Sequence, residues 1–380
     1  MNPARTTIVM ERDRPSGPFG QACLDRLACA FPLQAVAAIL FVLSATPGLQ
    51  ADHNKLLQLE FKRSISRHLA RDSQGFCYLL LPTPGREDGP GFTLKVSRKP
   101  HPESIADFST TVMLPTSALP DGASTSWFSA GLAVDARDQL HLVCTTERGQ
   151  TAYSVVDVKL LRGGRAKPTW LNPANGQKGS LVLAAARSWV GDICGATDGR
   201  VWLTWTTGAA KGSEVTVHLG TLGDGAWRSF VLGRGKKLYP PSLLISRDGA
   251  VFHVACGDTV GATHYLRGRV AELDTEREWR LERSHSGNRP ALAELSARRV
   301  LAVHESGDSL KYTFLATAEK VRRSHPLTDL DSRLTWDTVH SPRLVVDQHG
   351  VPWVFFIDST RQHVFYSRWL GARWSPILNG

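Results

Sequence analysis

The sequence predicts an all-β fold, a six-bladed β-propeller, on three observations. A phrase of about 17 residues recurs as SAGLAVDARDQLHLVCT (129–145), DICGATDGRVWLTWT (192–206), PSLLISRDGAVFHVACGD (241–258) and SPRLVVDQHGVPWVFFID (341–358). A degraded copy covers 289–308 and a weaker one covers 64–81. The turn centres are Gly75, Asp138, Gly199, Gly249, a point near Arg298, and Gly350. They lie roughly 50 to 64 residues apart, the chain length of one four-stranded blade. Finally, each strand pair is followed by a run that often carries tyrosine (Tyr153, Tyr265, Tyr312, Tyr366) and then by an element with tryptophan (Trp170, Trp227, Trp279, Trp374).

Taken in order, the chain begins with Arg5, Arg12, Arg14 and Arg26 ahead of an apolar run of 13 residues, Leu33 to Ala45, followed by TPGLQA. That layout predicts a signal peptide over residues 1–51 with cleavage after Ala51. A later start at Met10, or retention of the segment as an anchor, is the alternative. The run is shorter than the ~20 apolar residues of a membrane span, so 52–380 is expected outside the cytoplasm, secreted or periplasmic, with membrane contact only if the segment stays. Six blades fill 52–380 as a single propeller domain, the first at about 60–125 and the last at 337–380. The stretch 56–62 could donate a strand to close the ring. Splitting the long first or second copy would give seven blades.

Within each copy the apolar residues alternate or run on for five to eight positions, as in Val251-Phe252-His253-Val254-Ala255. Runs of that length between Gly and Pro read as strands buried on both faces. The repeat-specific tyrosines and tryptophans suit the wedge between neighbouring blades, and a sugar-stacking platform is the other reading. Asp135, Asp198, Asp248 and Asp347 read as turn formers.

The net charge is +10, falling to +9 once 1–51 is removed. A basic exported protein suits anionic polysaccharide, although the same charge also serves solubility. Basic residues do not cluster with interleaved aromatics, so nucleic acid is not an expected partner. Cys23 and Cys29 leave with the signal. Cys77, Cys144, Cys194 and Cys256 fall in strands, either as buried free thiols or with a Cys144–Cys194 disulfide across adjacent blades. Neither their spacing nor any acidic loop indicates zinc or calcium, so no metal or cofactor is expected. The protein is expected to be a monomer.

At the Asp/Gly turns, as in SPRLVVDQHG and PPSLLISRDG followed by Tyr and Trp, the chain resembles the sialidase-like, BNR-type β-propellers of exported bacterial proteins. The resemblance spans about 120–380 and, more loosely, 60–120. It departs from that pattern in two places. No turn satisfies the Asp-box Ser-x-Asp-x-Gly-x-Thr-Trp: Ser246-Arg247-Asp248-Gly249 lacks the spacer, and Asp347-Gln348-His349-Gly350 has one residue too many. The chain also lacks the Arg-Ile-Pro that supplies part of the family's arginine triad. The resemblance implies a glycan-related role and leaves sialidase chemistry without its signature residues.

In a propeller, loops from every blade converge where the innermost strands begin and the second strands end. The strand beginnings offer Arg67, Trp127, Asp192, Tyr239, Arg289, His340 and Arg343. The second-strand ends offer Glu147, Asp258, His304, Glu305 and Asp358, with His264, Arg361 and His363 just beyond. Arg289 and Arg343 flank prolines in adjacent blades, and two guanidinium forks there would clamp a uronate, sialate or sulfate group. Salt bridges to Glu305 and Asp358 are the other use for them. Ligand binding is therefore expected at Arg289, Arg343, Tyr239, His340, Asp258, His264 and Arg361.

A glycoside hydrolase would draw its carboxylates from Glu305, Asp358 and Asp258. A polysaccharide lyase would use His304 or His264 as base and Tyr312 or Tyr239 as proton donor. Binding of a glycan, anionic in the first instance, or of another cell-surface ligand is the primary expectation, and these enzymes are the alternative. A protein-interaction scaffold would instead show a flat, weakly charged face.

Overall fold

The computed structural model describes residues 67–379 apart from 84–90, 103–106, 113, 115–126, 147–148, 209–213, 224–225, 276, 297–298, 308, 316–323, 328–338, 348 and 359–362. The expected signal segment 1–51 and the stretch 56–62 lie outside the described residues, as do Glu147 and Arg361.

Six four-stranded antiparallel sheets follow one another along the chain, each built from four consecutive strands. The first holds β1 (Leu69–Arg71), β2 (Cys77–Thr83), β3 (Gly91–Ser97) and β4 (Phe108–Val112). The second holds β5 (Trp127–Val134), β6 (Gln139–Thr146), β7 (Thr151–Asp157) and β8 (Leu181–Ala184). The third holds β9 (Ser188–Gly195), β10 (Val201–Thr207), β11 (Glu214–Gly223) and β12 (Ala226–Lys236). The fourth holds β13 (Ser242–Ile245), β14 (Val251–Gly257), β15 (Ala262–Arg269) and β16 (Glu282–Ser286). The fifth holds β17 (Asn288–Ser296), β18 (Arg299–Ser306), β19 (Ser309–Leu315) and β20 (Ser324–Pro326). The sixth holds β21 (Val339–Val346), β22 (Pro352–Asp358), β23 (His363–Arg368) and β24 (Leu378–Asn379). This is a six-bladed propeller. Among the described residues its first and last sheets each hold four strands from their own segments, and the stretch 56–62 expected to close the ring lies outside the described residues.

The first-to-second-strand turns carry the repeat, and their chemistry explains why it is there. Gly75, Asp138, Gly199, Gly249 and Gly350 all have positive φ, between 58° and 91°. Glycine enters that region without a Cβ clash, and aspartate is one of the few other residues that tolerate it. The turn aspartate then accepts backbone amides: Asp135 from Arg137 and Gln139, Asp347 from His349 and Val351, and Asp72 from Gln74 and Phe76. Asp198 takes the amide of Arg200, and Asp248 takes that of Ala250. The second oxygen often receives a ring from the second strand: Tyr78 Oη at 2.7 Å from Asp72, His141 Nε2 at 3.2 Å from Asp135, Trp353 Nε1 at 3.0 Å from Asp347. These carboxylates therefore hold the turns together, as expected.

The aromatic residues fill the wedges between blades. Tyr153 is fully buried and lies 5.4 Å from Trp227 of the next blade, whose ring also tilts against Trp205 at 6.1 Å. Tyr312 packs edge-on to Trp369 and Trp374 across the boundary between blades five and six. Only Trp227 lies in a fourth strand. Trp170, Trp279 and Trp374 sit in the connections after the third strand, where a longer loop lets the indole fold back under the sheet. Gly220 and Gly268 leave room for this: a Cβ on Gly220 would stand 2.2 Å from Trp227, and one on Gly268 would stand 2.5 Å from Trp279. The one α-helix among the described residues, α1 (Val158–Arg162), is capped by Asp157, whose side chain accepts the Lys159 amide. Cys77, Cys144, Cys194 and Cys256 are all buried free thiols, so the Cys144–Cys194 disulfide is not formed.

Candidate functional site

The first strands β1, β5, β9, β13, β17 and β21 stand side by side in succession around the axis. Because each sheet is an antiparallel meander, the Asp turns lie at one end of the ring. The beginnings of the first strands and the connections from second to third strand share the other end, here called the mouth.

Arg67 lies just before β1, and its guanidinium crosses the channel. Nε is 3.4 Å from Asp192 Oδ1 in the third blade, and Nη2 donates to the Leu243 carbonyl in the fourth at 3.3 Å. Asp192 is only 6% exposed and also accepts the Ile193 amide at 2.9 Å. Burial pushes its carboxyl above the ordinary value; Arg67, the Leu243 amide and Arg343 of β21 pull the other way without cancelling that effect. One buried carboxylate thus faces guanidinium groups from the first and sixth blades.

Arg289 and Glu305 pair within blade five at 3.3 Å, so the salt bridge weighed against an anion clamp is formed. Arg289 adopts φ 45° immediately before Pro290, a left-handed conformation that costs about 1–3 kcal/mol and persists only where the surroundings impose it. In blade four, Asp258 accepts the amides of Val260 and Ala262 and lies 2.9 Å from His264 Nε2. Burial would raise the Asp258 carboxyl, but the Ala262 amide and His264 hold it below the ordinary range. Tyr239 is half-buried, and its amide donates to the Gly257 carbonyl at 2.8 Å, so its backbone lies beside Asp258.

Two expected catalytic residues do not reach this mouth. His304 has no exposed surface. Its Nε2 lies 3.2 Å from Thr313 Oγ1, and its ring lies 4.3 Å from that of His285 in the neighbouring blade. Burial pushes its imidazole down to about 4, so it is neutral at physiological pH but sealed from any substrate. Strand parity explains the error: His304 and Glu305 are consecutive in β18, so only one of them can face the solvent side. Tyr312 belongs to the wedge described above and cannot donate a proton at the mouth. Backbone pairing places His340 opposite Ile357, and Asp358 opposite both Val339 and His363, in the sixth blade. Trp127 pairs with Thr146 in the second.

Beyond the sequence reading there is a second concavity of about 540 Å³ at the turn end, between blades five and six. Arg299, Arg368, Trp369 and Leu370 are among the residues that line it. Their separation along the chain gave no signal. The sequence places Asp192 only among the strand beginnings; a carboxylate inside a strand of apolar neighbours has to have a partner, and the structure supplies it in Arg67.

No protein-family model matches the chain, and no curated protein matches it. Among solved structures, AofleA from Arthrobotrys oligospora is 10% identical, with 85% of this chain and 88% of that one covered and a TM-score of 0.47. The fucose-recognising six-bladed lectin of Aleuria aurantia is 11% identical, with 82% and 92% covered and a TM-score of 0.44. A Hadza microbial sialidase is 10% identical, with 77% and 64% covered and a TM-score of 0.44. At that distance the architecture rests on the chain's own strand order, which makes it an all-β propeller of six four-stranded blades.

Proposed function

We propose that this propeller binds saccharide at the channel mouth and does not transform it. The observation that carries the reading is that the three carboxylates with described side chains at the inner strand ends of the mouth are already committed, while Glu214, on the third strand away from the channel, is exposed and 3.9 Å from Arg234. Glu305 is held by Arg289, Asp258 by two amides and His264, and Asp192 by Arg67 in a buried position. Glycoside hydrolysis needs two carboxyl groups facing one bond, one to give a proton and one to attack or activate water. A lyase needs a free, accessible base; His304 is sealed in the core, and His264 is held at 2.9 Å by Asp258.

The mouth does supply fixed planar donors beside fixed acceptors. The side chains of Arg67, Arg289 and His264 are 45%, 33% and 22% exposed, each next to a carboxylate. Such pairs suit sugar hydroxyls, which donate and accept at once. An anionic glycan would have to compete with Glu305 for Arg289, so hydroxyl recognition carries more of this reading than a charge clamp. We further propose that the protein is exported and monomeric, on the strength of the signal-like segment and the buried aromatic wedges.

The test uses residues 52–380 on a glycan array, with reducing ends, ultraviolet absorbance of new double bonds and sialoside cleavage followed in parallel. Retention that weakens at least tenfold in an Arg289→Gln, His264→Gln double variant, without turnover, is the expected result. Turnover in any channel would establish the enzyme alternative, and silence on every glycan would point to a protein partner.

A further inference from the structure

The mouth arginines Arg67 and Arg289 each face a carboxylate, and at the opposite end of the ring Arg162 and Arg200 are paired with turn aspartates, whereas Arg299 and Arg368 are not. Arg299 begins β18 in blade five and Arg368 ends β23 in blade six; both are exposed and both line the cleft between these blades. Neither has a carboxylate partner among the described residues. Each instead rests on a ring of its own blade, Arg299 with Cζ 3.9 Å from the Phe314 centroid and Arg368 with Cζ 5.8 Å from that of Trp353. Stacking fixes the plane of a guanidinium while leaving its donors turned outward.

A third guanidinium stands close by: Arg247 Nη2 is 3.8 Å from the Cβ position of Gly350, a residue of the cleft wall. Among the described residues no acidic side chain lines the cleft. The two nearest along the chain are occupied elsewhere, Asp347 with the amides of its turn and the Trp353 indole, and Glu294 with the Arg247 amide at 2.7 Å. The rest of the wall is apolar, formed by Leu295, Val351, Pro352 and Trp369, with Leu370 on the rim at 46% exposure.

We propose that the cleft between blades five and six is a second binding site, for a small cyclic ligand that carries a carboxylate. Arg299 and Arg368 approach from different blades and grip the carboxylate with guanidinium forks, and the ring of the ligand lies along the apolar wall. A planar carboxylate matches guanidinium forks in charge and geometry. The volume accommodates one or two rings and excludes a polymer lying flat. This site is separate from the mouth, and neither proposal depends on the other.

The test titrates residues 52–380 with 4-methylumbelliferyl glucuronide, methyl glucuronide and 4-methylumbelliferyl glucoside by calorimetry, at low and at physiological ionic strength. The aryl glucuronide should bind saturably, at least tenfold tighter than the glucoside, and weaken as salt rises. Binding of methyl glucuronide as well would assign the site to a sugar acid. Binding of the aryl compound alone would show that the apolar wall contributes, and both results support a carboxylate site. An Arg299→Gln, Arg368→Gln double variant should lose at least tenfold. The corresponding double lysine variant should retain charge-dependent binding with reduced affinity, and Arg280→Gln, at an exposed arginine paired with Glu278 in blade four, should change nothing. A glucoside bound as tightly as the glucuronide, unchanged affinity in a folded glutamine variant, or no binding by the wild type would overturn the proposal. Thermal melting of each variant separates loss of binding from loss of fold.

Discussion

Mild acid should weaken this propeller well before its carboxylates titrate, because of two imidazoles. His253 and His304 are 3% and 0% exposed, and burial pushes both down to about 4 from an ordinary value of 6.5. Their ring nitrogens already meet neutral partners, the Tyr265 hydroxyl at 2.7 Å and the Thr313 hydroxyl at 3.2 Å, which do not favour the charged form strongly. Between pH 6.5 and pH 4 the unfolded chain binds protons that the folded chain refuses, so stability falls as pH falls. Taking pH from 7 to 5 should remove about 2 kcal/mol per histidine, about 4 kcal/mol for the pair.

His218, also lowered by burial, adds in the same direction. Asp135, Asp138, Asp258 and Asp347 sit below the ordinary carboxylate value and lose their contribution only at lower pH. Asp192, raised by burial, gains as pH falls, so the comparison stops above the carboxylate range. The assay is urea unfolding of residues 52–380 at both pH values, for the wild type and for a His253→Gln, His304→Gln double variant. The variant begins from a lower stability, but its loss on acidification should be less than half that of the wild type. Equal wild-type stability at the two pH values, or an undiminished loss in the variant, would refute the reasoning.

Three further outcomes follow from the packing. Gly220→Ala sets a methyl 2.2 Å from the Trp227 ring and 2.9 Å from that of Trp205, so it should lower stability by about 1–3 kcal/mol in denaturant titration. Arg67→Met leaves the Asp192 carboxylate buried without its main cation; with Arg67 itself 45% exposed the expected loss is about 1–3 kcal/mol, and adding Asp192→Asn should recover part of it. The Cys77, Cys194 and Cys256 thiols are pushed up to about 11, 12 and 12 by burial, and Cys144 rises for the same reason. A thiol-specific reagent at pH 8 should therefore label none of these four cysteines in native 52–380 and all four after denaturation.

The fold was legible because its constraints are local. A turn that demands positive φ selects glycine or aspartate at one position, and the orphan amides beside it select a carboxylate two to four residues before. That coupling repeats in five of the six blades, which is why Asp135, Asp198, Asp248 and Asp347 could be read as turn formers. The site was less legible because its geometry depends on parity and on partners from distant blades. Sequence position placed His304 and Glu305 together at a strand end, but only the pleat decides which of them meets solvent. Arg289 was legible as a residue of the mouth, whereas its neutralisation by Glu305 depends on a register between strands. Arg299 and Arg368 share a cleft only because two turns from neighbouring blades face each other.

Arg67 also bears on the order in which the ring is assembled. Its guanidinium reaches a carbonyl that lies 176 residues further along the chain, and a carboxylate in between. A ribosome delivers the arginine first and both of its partners much later. The inner edge of the first blade can dock on the second through the Arg67 carbonyl and the Leu132 amide. The Arg67 guanidinium, however, finds its carboxylate only with the third blade and its carbonyl only with the fourth, and loop closure over that span is paid only when these acceptors arrive. The early blades are therefore expected to wait in a loosely docked arc that a helper protein could shelter, and the crossing arginine acts as a clasp that locks once synthesis has passed the midpoint.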